Sequence, residues 1–265
     1  MSLTNKTIAN SYKDLLIIDN SNNGIISSNR QIKSGDGTKS CAGISDDSLT
    51  LKPQNDDNQA VLEVKATNND SLLKVDSVTS TVKAMGQYVN TQTKQFVLAS
   101  VNGEPHTANT WTMMSAIGNT RFNSTSLEMG TGGTPATTYD ISSTNEADNL
   151  VQCMWYVPFN IAIDSCNVWF GADDATGDTV KFSVMSYTVS TANDATGGDL
   201  SAGVENCVSP STIAGAGHEI AYYQSLTVST ANVDAGKVII AYVHQNGTNA
   251  DLTVNMQLVY HLRST

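Results

Sequence analysis

Charged side chains are scarce in this sequence: only 15% of its 265 residues are Asp, Glu, Lys or Arg. An average soluble domain carries about 25%, so solubility here has to come from neutral polar groups. Basic residues are scarcest, 14 against 25 acidic ones, for a formal net charge of −11. They form no cluster, and a chain of that sign repels phosphate, which argues against nucleic acid as a partner. No apolar run approaches the roughly 20 residues that span a bilayer, so no membrane insertion is expected. The N-terminus lacks the apolar core of a secretory signal, and the expectation is a chain that is not exported.

Metal-binding and nucleotide-binding spacings are missing too. Cys41, Cys153, Cys166 and Cys207 are scattered, with no CxxC pair to hold zinc. Cys153 and Cys166 sit in apolar, strand-like runs and are expected to be free core thiols. His106, His218, His244 and His261 show no HxH or HExxH spacing. His244 and His261 are expected to be polar residues on an outward or inter-subunit strand face. The glycine-rich MGTGG at 129–133 lacks the lysine of a phosphate loop. The acidic loops GADDATGD and NDATGGD lack the spacing of a calcium loop, and turn chemistry explains their Asp and Gly. No cofactor, no metal and no catalytic residue is expected. Saccharide hydrolysis would need carboxylates clustered in a cleft.

What is abundant is small and polar: 30 Thr, 28 Ser and 25 Asn. Ser and Asn compete with helical backbone bonds and Thr prefers strands, so the composition indicates an all-β chain. Apolar residues still reach 40% and come in patterned runs, which excludes disorder. The length suits one large β domain or two smaller ones. Charge is divided unevenly: residues 1–86 hold nine basic and ten acidic side chains, residues 87–265 five and fifteen. A boundary is expected near Gly86.

In the opening segment LTNKTIANSYKDLL, Ile8, Tyr12, Leu15 and Leu16 fall at helical spacing, with Thr4 or Asn5 as N-cap. A helix of about three turns is unstable alone. It must therefore pack on its own fold or on a neighbouring protein, and these residues are the candidate anchoring side chains. From residue 49, LTLKP, AVLEVKA, SLLKVDS and STVKAMG alternate apolar and polar residues between turn-forming NDDNQ, TNND and SVT. Such short strands cannot bury much surface in one chain, so several copies are expected to pair through Val64, Leu73, Val75 and Val82.

The run AVLEVKATNNDSLLKVDSVTSTVKAMG resembles the L-x-V, LLxVDS and VKxxG segments of tailed-bacteriophage fibre and spike proteins. KTIANSYKDLLIIDNSNNGI is similar to the start of virion structural proteins of marine phages. The resemblance covers roughly residues 1–90. It implies a non-enzymatic, homotrimeric appendage at the virion surface, its N-terminal part on capsid or tail and its C-terminal part displayed. The few repeats favour a short capsid decoration fibre over a long shaft.

Beyond residue 137, VQCMWYVPFNIAI, CNVWFGA, DTVKFSVMSYTV, HEIAYYQSLTV, KVIIAYVHQ and LTVNMQLVYHL read as strand after strand between tight-turn formers. Their length suits an antiparallel, jelly-roll-like β-sandwich. The expected organisation is an attachment region over 1–48, a β-repeat stalk over 49–86, a connector over 87–136 and a sandwich head over 137–265. Trp155 and Trp169 lie inside apolar strands and are expected in the core. An alternative function is a tail-fibre module that recognises host surface glycans, with Tyr223, Asp173 and Asp174 as receptor contacts.

Overall fold

The computed structural model describes residues 16–20, 23–34, 37–53, 61–99, 108–118, 127–141, 144–173, 179–190, 199–209, 213–214, 220–246 and 251–263. It is mostly β, and every strand pairing among these residues is antiparallel. The chain divides into two compact units, Met1–Val89 and Asn90–Thr265. The division lies just beyond Gly86, where the charge composition changes.

The first unit holds two four-stranded meanders. One runs β1 (Leu16–Ile18), β2 (Arg30–Ser34), β3 (Lys39–Ile44) and β4 (Leu49–Leu51). The other runs β5 (Leu62–Lys65), β6 (Ser71–Asp76), β7 (Thr81–Ala84) and β8 (Gln87–Tyr88). Their turns follow from local chemistry. Met85 and Gly86 both take positive φ, 50° and 79°, as a two-residue hairpin loop requires. Between β6 and β7 the Asp76 carboxylate accepts the backbone N–H groups of Val78 and Thr79, each at 3.0 Å. Those donors hold its pKa below the ordinary carboxylate value. Among the described residues of this unit no large apolar side chain is fully buried.

The stalk strands find backbone partners within the chain, Val64 opposite Leu73 and Val75 opposite Val82. Hairpin turns this short close locally, at less loop-closure entropy than pairing distant segments requires. Leu16 opens β1 instead of closing a helix, while Ile8, Tyr12 and Leu15, with the expected helix, lie outside the described residues.

The second unit is built on one 11-stranded sheet whose main path is β10-β18-β13-β14-β16-β12-β19-β9. The ranges are β9 (Thr91–Ala99), β10 (Thr110–Met113), β11 (Trp155–Tyr156), β12 (Ile161–Asp173), β13 (Thr179–Val189) and β14 (Leu200–Val208). They continue with β15 (Ile213–Ala214), β16 (Ile220–Val228), β17 (Asn232–Val233), β18 (Lys237–Gln245) and β19 (Asp251–Leu262). The sheet curls at β16, which pairs with β12 through Leu226 and with β14 through Thr227 and Val228. The two halves then face each other over one core. Val168, Phe170, Met256 and Leu258 from one half meet Phe182, Val184, Ala241 and Val243 from the other, and the Phe170 and Phe182 rings are 5.1 Å apart.

A second core lies on the opposite face of the β10-β18-β13-β14 half, under α1 (Thr144–Cys153) and residues 127–141. Tyr242 donates to the Tyr187 hydroxyl, which donates to the Ala136 carbonyl, each at 2.9 Å. Trp111 Nε1 donates to the Gly132 carbonyl at 2.9 Å. These bonds fasten the cover to the sheet. β18 is therefore buried on both faces, which explains the unbroken apolar run KVIIAYV.

The second unit departs from expectation at the start of VQCMWYVPFNIAI. Val151, Gln152 and Cys153 belong to α1, because Ala147, Leu150 and Cys153 recur every three residues and all turn into the second core. Within residues 87–136, β9 pairs with β19 and β10 with β18, so these two strands supply the ends of the sheet's main path.

Candidate functional site

The curled sheet has two unequal halves. One is covered on both faces, as above. In the half made by β16, β12, β19 and β9, β12 alternates beyond its bulge: Cys166, Val168 and Phe170 turn inward, while Asn167 and Trp169 turn out. Register gathers the outward residues into rows. One row is Tyr223, Trp169, Asn255 and Val97, and the next is Ser225, Asn167, Gln257 and Gln95.

Trp169 is 57% exposed and Tyr223 51%. Their ring centroids are 4.8 Å apart at 50°, so the pair makes a tilted aromatic surface open to solvent. Tyr223 is tethered at its far end. Its hydroxyl donates to Asn167 Oδ1 at 2.9 Å, as does Ser225 Oγ at 2.9 Å, and the two hydroxyl oxygens lie 3.0 Å apart. On the other side of the rings the next row is small: Ala221, Gly171 and Thr253. A Cβ built on Gly171 would meet no atom within 4 Å, so a shallow ledge runs beside the aromatic pair. No Asp, Glu, Lys or Arg belongs to these rows.

Of the candidate receptor contacts, Tyr223 stands at the centre of this face. Asp173 ends β12 directly opposite Asp251, one row beyond Gly171, and Asp174 lies outside the described residues. Trp169, expected in the core, is outside it, and Trp155 is half-buried against Tyr260 with ring centroids 5.0 Å apart. The signal that places Trp169 is the alternation of CNVWF itself: a residue between Val168 and Phe170 must face away from them. Asn167 and Ser225 carried no signal alone, because only cross-strand register joins them.

Neither strand histidine is exposed on an outward face, and His106 and His218 lie outside the described residues. His244 is half-buried against Trp111, ring centroids 5.0 Å apart, and burial lowers its pKa. His261 is buried, with Nδ1 2.9 Å from Asp164 Oδ1 beside the bulge between Ile163 and Ser165. Cys153, Cys166 and Cys207 are free and buried, and Cys41 is exposed. Among the described residues no group of three or more His, Cys, Asp or Glu could hold a metal ion. No helix among them is long and apolar enough to cross a membrane.

The first unit carries two surface features. A cleft of about 620 Å³ is lined by Asn29, Gln31, Cys41, Thr50 and Lys52 among others. Its amides are engaged within the unit, Asn29 with Thr50 at 2.5 Å and Gln31 with the Ser40 carbonyl at 2.7 Å. In the second meander, register places the four candidate trimer contacts on one face. Leu62, Val75 and Val82 form one row, and Val64, Leu73 and Ala84 the other. Val64 is 43% exposed, and none of the six is fully buried.

No protein-family model matches the chain, and no curated protein matches it.

Proposed function

We propose that the chain is a non-enzymatic recognition protein of the virion surface: its first unit associates in threes on capsid or tail, and its second unit binds the host surface. The observation that carries this reading is the open aromatic and amide face of the β16-β12-β19-β9 half, on a sheet otherwise closed over its own cores. A rigid β scaffold that leaves one patterned face uncovered suits display and recognition. The jelly-roll-like sandwich expected from the strand pattern is consistent with the curl at β16. The apolar face of Val64, Leu73, Val75 and Val82 supports association, since a thin meander cannot bury it alone. The resemblance of residues 1–90 to phage fibre segments supports the virion setting.

Fluorescently labelled full-length protein tests the reading on bacteria that adsorb the particles carrying it. Binding to those cells and competition with particle adsorption are expected. Absence of both would overturn it.

A further inference from the structure

We propose that the face around Trp169 and Tyr223 is a binding site for an uncharged pyranose saccharide. The inference rests on the recognition reading above and names the ligand class of that same face.

Stability does not explain the arrangement. Two large rings stand side by side in water, each more than half exposed, where burial would have been favourable. Tyr223 is also held by hydroxyl and amide contacts in an exposed place, where such bonds add little to folding. Holding the ring costs conformational freedom in the free protein. The same cost, already met before a ligand arrives, raises affinity for that ligand.

The chemistry of the rows selects the ligand. A pyranose ring has an apolar C–H face and an equatorial rim of hydroxyls, so it needs a flat ring beneath it and paired donors and acceptors at its edge. Trp169 and Tyr223 supply the rings. Asn167, Ser225, Asn255 and Gln257 supply amide and hydroxyl groups in adjacent register positions, and amides offer both donors and acceptors. The ledge over Gly171 and Ala221 gives room for a substituent or a second ring.

Charge sets the sugar class. The rows contain no cation to pair a carboxylate or sulfate, and the second unit as a whole carries five basic against fifteen acidic side chains. An acidic sugar would lose water without gaining a counter-charge. A peptide is disfavoured because polar side chains interrupt the apolar ones in both rows, unlike the apolar centre of a protein interface.

The full-length protein is titrated with neutral oligosaccharides (glucan, mannan and galactan fragments) and with acidic ones (sialyllactose, oligogalacturonate). Trp169 is the exposed tryptophan, Trp111 being 1% exposed and Trp155 half-buried, so a bound sugar should shield fluorescence from acrylamide. At least one neutral sugar is expected to bind, with affinity reduced about tenfold or more in Trp169→Ala and Tyr223→Ala. Asn167→Ala, which frees the Tyr223 hydroxyl, is expected to weaken binding while leaving the ring. Phe159→Ala, exposed but outside the rows, should bind as the unmodified protein does. Circular dichroism and melting show whether each variant folds, and shielding in the unmodified protein keeps the test independent of them.

Binding confined to acidic sugars, or unchanged in both aromatic variants, would overturn the inference. So would attachment to cells that survives removal of surface saccharide by periodate. In those cases the recognition reading stands, whereas a protein that binds no cell removes both.

Discussion

At the residue scale, the informative groups are those whose burial fixes a protonation state. Burial raises the Cys153 thiol from 9.0 to about 12, and its Sγ donates to the Asn149 carbonyl at 3.4 Å. Contact with the Cys207 thiol and then burial raise Cys166, and burial raises Tyr242. All three groups are neutral in the folded protein and ionise more readily once unfolded. Between pH 9.0 and about 12 the folded state therefore holds the Cys153 proton that the unfolded state has lost. Stability from Cys153 is complete below that window and falls as pH rises through it, by up to about 1.4 kcal/mol per pH unit for each such group. Melting temperature followed from pH 7 to 11 should drop on the alkaline side, with a shallower slope in Cys153→Ala. An equal slope in that variant would show that this thiol is not the source.

At the scale of elements, periodicity was the readable signal, and it failed only where a run was short or a partner was remote. β5, β6 and β7 lie where alternating LEV, LLKV and TVKA place them, and β13, β18 and β19 coincide with the apolar runs of the second half. Asn167 and Trp169 could be placed outside by counting from Val168, but their companions Tyr223 and Asn255 come from β16 and β19, which no local pattern links to β12. β9 illustrates the same limit: Gln92 bonds to Tyr260, 168 positions along the chain, at 2.8 Å. For α1 the difficulty was continuity. VQCMWYV is apolar except for Gln152, and a short, mostly apolar run does not distinguish a buried strand from the end of a helix. The structure decides it by facing Leu150 and Cys153 into the second core while Val151, 63% exposed, faces water. Leu150→Ala is accordingly expected to destabilise the protein by about 2–5 kcal/mol, as cavity-forming core substitutions do. Val151→Ala on the neighbouring position should stay within about 0.5 kcal/mol. Urea denaturation of the two variants compares them directly, and equal losses would contradict this orientation of the helix.

At the scale of the whole molecule, the two units solve the burial problem differently. The second unit closes a sheet over one core and covers a second with α1 and residues 127–141. The first unit has strands and tight turns but, among its described residues, no fully buried large apolar side chain. Its described strands make their backbone bonds within the chain, so the proposed association would act through side-chain burial, and the rows Leu62-Val75-Val82 and Val64-Leu73-Ala84 are the surface it would cover. The opposite face of the same strands carries Glu63, Lys65, Lys74 and Lys83 as well as Leu72, and is the more charged of the two. Each aliphatic side chain taken fully out of water contributes about 1.5–3 kcal/mol, enough over several residues and three chains to hold a trimer. Sedimentation of the full chain is expected to give three times its 28.1 kDa mass. Val75→Asp, which puts a carboxylate in the middle of that face, should shift the mass to that of one chain while the second unit keeps its melting transition. A monomer in the unmodified protein would refute association through this face. An unchanged trimer in Val75→Asp would move the contact elsewhere in the molecule.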